Sequence, residues 1–187
     1  MIDQADNLRA IMGKKTIKYT TQKSIAKAIT IVNAPNDFIN NLSLELKLLD
    51  KNVDIIDEYF LEQEINLEDK SELILIDSGD IDRENFVYLC DFASNLIIVT
   101  SPGAKPLSTA YAIIERLNEK NALSASISLI IKDIEKTKGR EVYENFNRIV
   151  KRFFNIELDF LGVMSEAQDI KTIATELIRK NALNELL

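Results

Sequence analysis

The sequence contains no histidine, the side chain that most often transfers protons in enzymes and binds zinc. This excludes catalysis of the Ser-His-Asp and Cys-His types and the usual zinc sites. There is one cysteine, Cys90, so an internal disulfide framework is excluded as well. Cys90 lies on the apolar face of a predicted helix together with Leu89 and Ala93. We therefore expect a buried, unreactive thiol.

Glycine is scarce, with five residues scattered singly along the chain. The phosphate-binding pattern G-x-x-x-x-G-K-[ST], whose glycines let the backbone approach a nucleotide, has no match. Positive charge is also limited, because 23 basic residues stand against 30 acidic ones and give a net charge of −7. A protein without a broad basic surface displaces few counterions from nucleic acid. We expect no nucleic-acid partner, and we interpret the lysines at 14, 15, 18 and 23 as part of a solvated linker.

Long apolar runs are missing too. No stretch approaches the ~20 residues that a membrane-spanning helix requires. The N-terminus, MIDQADNLRA, has acidic residues where a signal peptide needs positive charge. These features predict a cytoplasmic protein. A length of 187 residues suits one compact domain with a sizeable core and an appended segment.

Short apolar runs alternate with amphipathic segments from residue 25 onward. The strands are predicted at residues 28–34, 53–57, 73–77, 96–102, 126–134 and 156–164. The helices are predicted at residues 38–50, 82–94, 106–120, 139–154 and 166–180, with Asp37 as the N-cap of the first. Strands that alternate with helices of ten or more residues indicate an α/β fold, a mostly parallel sheet with helices on both faces. We expect a single domain over residues 25–187.

The first 24 residues differ from this domain. Residues 1–13 are predicted to contain a short helix with a narrow apolar stripe that includes Ala5 and Leu8, and residues 14–24 are predicted to be a mobile linker. A short apolar helix on a tether is suited to docking in a groove of a partner protein. The alternative is a frayed terminal helix that packs on its own domain.

Four segments in this order are similar to segments of one known family. They are DQADNLR at 3–9, ILIDSG at 74–79, LIIVTSPGAKPLSTAYAIIERL at 96–117, and GREVYENFNRIVKRFFNIELDFLGVM at 139–164. Together they resemble the FlhG family, MinD/ParA-type ATPases that control flagellar number and placement. The resemblance covers nearly the whole chain and implies the P-loop NTPase fold of that family.

The resemblance also implies roles for particular residues. In the family, the D-Q-A-x-x-L-R motif stimulates FlhF, a GTPase of the signal-recognition-particle (SRP) type, so the matching residues are the expected partner contacts: Asp3, Gln4, Ala5, Leu8 and Arg9. Asp77 matches the Walker B acid, which organises a metal ion. The alternative for Asp77 is a strand-end carboxylate that caps a nearby turn or helix.

The chain departs from the family at the nucleotide site. The strand-to-helix junction reads Asn33-Ala34-Pro35-Asn36-Asp37 and has neither glycine nor lysine. Lys132 replaces the asparagine that reads adenine, residues 164–167 (MSEA) replace an I-P-Y-D segment, and residues 57–59 (DEY) only partly resemble an acidic D-A-D element. About 60 family residues before the Walker B strand are absent. Of the nucleotide-site features, Asp77 alone is retained.

These departures predict a truncated, non-catalytic pseudo-ATPase without cofactor or metal. It would regulate flagellar placement or number by engaging an FlhF-like GTPase through its N-terminal helix, and the partner would recruit it to the cell pole or the inner membrane face. One alternative is a residual ATPase or nucleotide binder with atypical contacts around Asp77. Another is a modulator of an active MinD/ParA paralogue.

The C-terminal run over residues 169–187, which begins within the last predicted helix, has apolar residues at 170, 173, 177, 183 and 187. A membrane-surface helix and ordinary packing on the sheet both fit this spacing. Because its polar face is not strongly basic, we expect any membrane contact to be weak or indirect.

Overall fold

The computed structural model describes residues 27–57, 71–78, 87, 90, 93–120, 126–166 and 169–183. Within these residues, six strands and four helices have defined bounds. The strands are β1 (Lys27–Val32), β2 (Val53–Asp57), β3 (Leu73–Asp77), β4 (Asn95–Thr100), β5 (Ser126–Lys132) and β6 (Asp159–Met164). The helices are α1 (Phe38–Leu48), α2 (Ala104–Glu119), α3 (Lys136–Phe154) and α4 (Asp169–Leu183).

The six strands form one sheet in the order β2-β3-β1-β4-β5-β6, and every pair is parallel. After β1 the chain passes through α1 to β2 on one side of the sheet. After β4 it passes through α2 to β5 on the other side. The connections that follow the adjacent strands β1 and β4 therefore run in opposite directions along the sheet, which defines a topological switch point.

Both faces of the sheet are buried, which explains why β4 reads as a continuous apolar run. Ile97 and Val99 belong to the core beneath α1 and α4. Leu96 and Ile98 belong to the core beneath α2 and α3. The predicted parallel sheet with helices on both faces is confirmed.

The boundaries of α3 and β6 differ from the prediction. α3 begins at Lys136 rather than at Gly139, which is buried in the first turn. A Cβ atom at residue 139 would lie 2.3 Å from Val163 Cγ2 of β6, so glycine permits close packing of helix on strand here and does not mark the helix start. α3 ends where Asn155 adopts a left-handed φ of 57°. β6 begins at Asp159, three residues later than predicted.

The last helix, α4, packs on the sheet. Ile170, Ile173 and Leu177 are buried in the core that α4 shares with α1, and Lys180 forms an ion pair with Asp159 at the start of β6. Ordinary packing is thus confirmed for these three apolar residues, while the side chains of residues 183 and 187 lie outside the described part. None of the helices in the described part combines the length and apolar character that crossing a bilayer requires.

The helix predicted at residues 82–94 lies mostly outside the described residues. Val87 and Cys90 are helical, and Ala93 is not. The Cys90 side chain is fully buried, and this burial raises the pKa of its thiol to about 12. The thiol is therefore protonated at neutral pH, as expected for an unreactive cysteine.

Candidate functional site

The carboxyl ends of the parallel strands meet at one edge of the sheet, where ligands bind in open α/β proteins. The junction between β1 and α1 consists of residues 33–37 only. Asn33 adopts a positive φ of 60°, and the Phe38 amide donates a 2.9 Å hydrogen bond to the Pro35 carbonyl. The chain thus turns directly from strand to helix. The junction contains no glycine that would bring backbone N–H groups close to a phosphate.

Asp37 occupies the N-cap position of α1, as predicted, but without the predicted capping contact. Its backbone is already helical (φ −95°, ψ −4°), and its side chain makes no capping hydrogen bond. The side chain is exposed at the helix N-terminus. A carboxylate in this position interacts favourably with the helix dipole and repels an anion that approaches the same place.

Asp77 ends β3 at the same edge of the sheet and is exposed. The sheet register pairs it with Ile31 of β1 and Asp57 of β2. The next residue, Ser78, holds the end of β3 against β1, because its amide and hydroxyl both donate to the Ile31 carbonyl at 3.2 and 3.0 Å. Asp77 therefore lies one strand away from the β1–α1 junction. Both of its predicted roles, metal-organising acid and cap, stay predictions.

Within the described part of the chain, no three side chains of the metal-binding types come together. The predicted partner contacts Asp3, Gln4, Ala5, Leu8 and Arg9 lie outside the described residues, as do Glu58 and Tyr59.

A cleft of about 260 Å³ opens at the switch point, beside the ends of β1, β4 and β5. Its polar lining consists of Asn33, Thr100, Ser101, Lys105, Thr109 and Lys132, and its apolar lining of Val99 and Pro106. From the sequence, Lys132 was identified only as the residue that replaces the adenine-reading asparagine, and Lys105 was not identified. No local signal in the sequence indicates this cleft, because it depends on which strands are neighbours in the sheet.

The lysines give this cleft a positive character. Lys132 Nζ lies 3.9 Å from Asp133 Oδ2, a contact at the outer limit of ion pairing with a largely exposed carboxylate. Such a pair neutralises little of the charge. Lys105 lies in the first turn of α2, which contains no acidic residue and follows Gly103 at the N-cap.

The turn between β6 and α4 is closed by a carboxylate. Asp169 accepts hydrogen bonds from the Ser165 and Glu166 amides, both at 2.8 Å, and from the Ser165 hydroxyl at 3.0 Å. The bond from the Glu166 amide contributes most to lowering the pKa of Asp169 below its ordinary value. This carboxylate thus stabilises the turn.

The structure is similar to solved MinD/ParA-type P-loop NTPases. MinD from Aquifex aeolicus superposes with a TM-score of 0.64 at 16% identity, over 82% of this chain and 97% of that one. MinD in the Aquifex aeolicus MinC:MinD complex gives 0.61 at 14%, over 82% and 96%. pNOB8 ParA bound to nonspecific DNA gives 0.63 at 12%, over 84% and 99%. At these identities the likeness shows the fold alone.

No protein-family model matches the sequence, and no curated protein matches it. What the comparisons show is that the chain has the fold of the MinD/ParA P-loop NTPases.

Proposed function

We propose that this protein is a non-catalytic, FlhG-like regulator that acts by binding proteins rather than by hydrolysing ATP. Its N-terminal helix engages an SRP-type GTPase similar to FlhF, and the α/β domain serves as a scaffold that needs no nucleotide. The protein acts in the cytoplasm, where the partner recruits it to the cell pole or the inner membrane face. Its role is in the placement or number of flagella.

The observation that carries this proposal is the junction between β1 and α1. In P-loop proteins, the loop after the first strand cradles phosphates with backbone N–H groups and a lysine. Here five residues connect the two elements, and the Pro35–Phe38 hydrogen bond closes them into a tight turn. Asp37 adds a negative charge at the helix N-terminus, where a phosphate would have to sit. Phosphate binding of the family type has no support at this position.

The protein partner is supported by the resemblance of residues 3–9 to the D-Q-A-x-x-L-R motif. The MinD of Aquifex aeolicus, whose fold this chain shares, has been solved in a complex with MinC. A protein with this fold thus forms a complex with another protein. We extend this use of the fold to the present chain.

Binding to a purified SRP-type GTPase tests the proposal. The full chain is compared with a chain that lacks residues 1–13, each with and without Mg-ATP, and circular dichroism verifies that both are folded. We expect the full chain to bind equally well with and without Mg-ATP and the shortened chain to lose most of its affinity. Binding that requires Mg-ATP, or that survives removal of residues 1–13, would contradict the proposal.

One observation favours a second candidate, a residual nucleotide binder. Asp77 is held at the end of β3 next to the β1–α1 junction, which is where a Walker B acid belongs. This candidate requires Mg-ATP to bind in a way that depends on Asp77. The substitution Asp77→Ala therefore separates the two functions.

A further inference from the structure

The cleft at the switch point has no part in the proposed function. It shares Asn33 with the β1–α1 junction, and its other lining residues belong to β4, α2, β5 and the segment between β4 and α2. We propose that it binds a small oxyanion of the phosphate type, without recognition of a nucleotide base. The inference rests on the residues of the cleft itself and stands independently of the proposed function.

Charge supports an anionic ligand. Among the described residues that line the cleft, two are lysines and none is acidic. The sequence neighbour Asp133 lies 3.9 Å from Lys132 and is 71% exposed, so water screens this ion pair. Lys105 forms no ion pair with any residue in the described part of the chain. Both ammonium groups are therefore available to a ligand that carries negative charge.

The N-terminus of α2 adds to this charge. Lys105 and Pro106 of the first helical turn line the cleft, and the N-cap residue is Gly103, which has no side chain to accept from the first N–H groups. The first bond of the helix runs from the Leu107 amide to the Gly103 carbonyl, at 3.2 Å. A 16-residue helix has a partial positive charge at this end. An oxyanion in the cleft would be stabilised by it.

The hydroxyl of Thr100 is an independent indication. Thr100 is one of the residues that line the cleft, and only 3% of this residue is exposed. Among the described residues its hydroxyl makes one hydrogen bond, to the Ser101 carbonyl at 3.5 Å, which is the outer limit for such a bond. A buried hydroxyl with so poor a partner lacks most of the hydrogen-bond energy that it loses on leaving water. A ligand oxygen would supply that bond.

The remaining polar groups fix the kind of ligand. The Thr109 hydroxyl already donates to the Lys105 carbonyl at 3.2 Å, so we assign it no role. Asn33 and Ser101 add an amide and a hydroxyl that can donate to oxygen. In the part of the chain that the structure describes, no aromatic side chain lines the cleft to stack a base. The set of donors therefore suits phosphate itself, or the phosphoryl group of a soluble metabolite bound through its oxygens alone.

Amide chemical-shift mapping by NMR tests the site in the full chain. Potassium phosphate is titrated against potassium chloride of matched ionic strength. We expect phosphate-specific, saturable shifts at the amides of Asn33, Ser101, Lys105 and Lys132. Shifts that are absent, that appear equally with chloride, or that lie elsewhere would overturn the proposal.

Three variants sharpen the test. Lys105→Gln and Lys132→Gln should each weaken phosphate binding about tenfold, which corresponds to ~1.4 kcal/mol for one charge-assisted hydrogen bond. Lys120→Gln, which removes an exposed lysine from the other end of α2, should bind like the wild type. Circular dichroism verifies folding, and the wild-type map remains decisive if a variant does not fold. Equal binding by all three variants would overturn the proposal.

Nucleotides distinguish this site from a family-type ATP site. Without Mg²⁺, ATP and GTP should bind equally, should compete with phosphate, and should depend on Lys105 and Lys132 but not on Asp77. A preference for ATP that requires Mg²⁺ and Asp77 would contradict the proposed function and leave the phosphate result unchanged. Binding of either nucleotide without competition from phosphate would contradict the cleft assignment.

Discussion

The interior of the sheet and its carboxyl edge depend on sequence in different ways. In the interior, each strand is buried on both faces, and residues such as Ile97 and Ile98 fill two separate cores. At the carboxyl edge, Asp37 and Asp77 are exposed and carry little of the packing. The interior is therefore constrained by shape and burial, whereas the edge is constrained only by the ligand that it serves. A chain can keep the interior of the sheet while the residues at its carboxyl edge change, which is what we propose here.

The largest effect should follow from a change to the interior. Leu177→Ala removes a fully buried side chain that anchors α4 on the sheet, and we expect the free energy of unfolding to fall by about 3 kcal/mol. Leu48→Ala makes the same change on α1 at a side chain that is 76% exposed, and we expect a change within about 0.5 kcal/mol. Urea denaturation of both variants measures the difference.

If the two substitutions lower the free energy of unfolding equally, then α4 is not part of the core and the distinction between interior and surface fails in this half of the domain.

The next effect concerns binding without a change in stability. Leu8→Ala and Arg9→Ala should each weaken binding to an SRP-type GTPase at least about tenfold, because buried apolar and arginine anchors dominate short-helix interfaces. Neither should change the melting temperature, since residues 1–13 are predicted to lie outside the core. Calorimetry measures the affinity, and a thermal melt serves as the control. Wild-type affinity in both variants would contradict docking by this helix. Melting temperatures lowered by several degrees would mean that the helix is part of the folded domain.

The smaller effect lies at the carboxyl edge and depends on pH. The folded-state pKa of Asp169 is lowered by hydrogen bonds from the Ser165 and Glu166 amides. Its contribution to stability is therefore complete above the unfolded-state pKa of about 3.9 and is lost as the pH falls through the lower folded-state value. Asp169→Ala should cost about 1 kcal/mol at pH 7, a value reduced for its partial exposure, and less at pH 3.

Urea denaturation at both pH values measures this difference, with Glu141→Ala on the exposed face of α3 as the control. A cost for Asp169→Ala that is the same at pH 7 and pH 3 would mean that the carboxylate charge does not stabilise the turn.

The sequence predicted the interior far better than the edge, for a physical reason. Short apolar runs such as Leu96 to Val99 are typical of strands covered on both faces, and their alternation with longer amphipathic segments indicates a parallel sheet. The six strands and the sheet could therefore be predicted from local pattern. Gly139 was misread as a helix start because its real constraint is the approach of Val163, which is distant in sequence.

The edge could be predicted only in part. A strand that ends in Asp77 is visible in the sequence, because the strand and the residue after it are contiguous. The cleft beside Lys105 and Lys132 is not visible, because it depends on the order of strands in the sheet, which brings together the ends of β1, β4 and β5. Similarly, nothing in the sequence indicated that Asp37 would make no capping bond.

The most direct test of nucleotide independence is a thermal melt in millimolar Mg-ATP with the wild type and Asp77→Ala. A ligand present at 100 times its Kd stabilises the folded state by ~2.7 kcal/mol, which raises the melting temperature visibly. We predict no stabilisation that depends on Mg²⁺ and Asp77, because the β1–α1 junction has neither the glycine nor the lysine that would hold a phosphate near Asp77. A rise in melting temperature with Mg-ATP that Asp77→Ala abolishes would contradict this and identify the protein as a nucleotide binder.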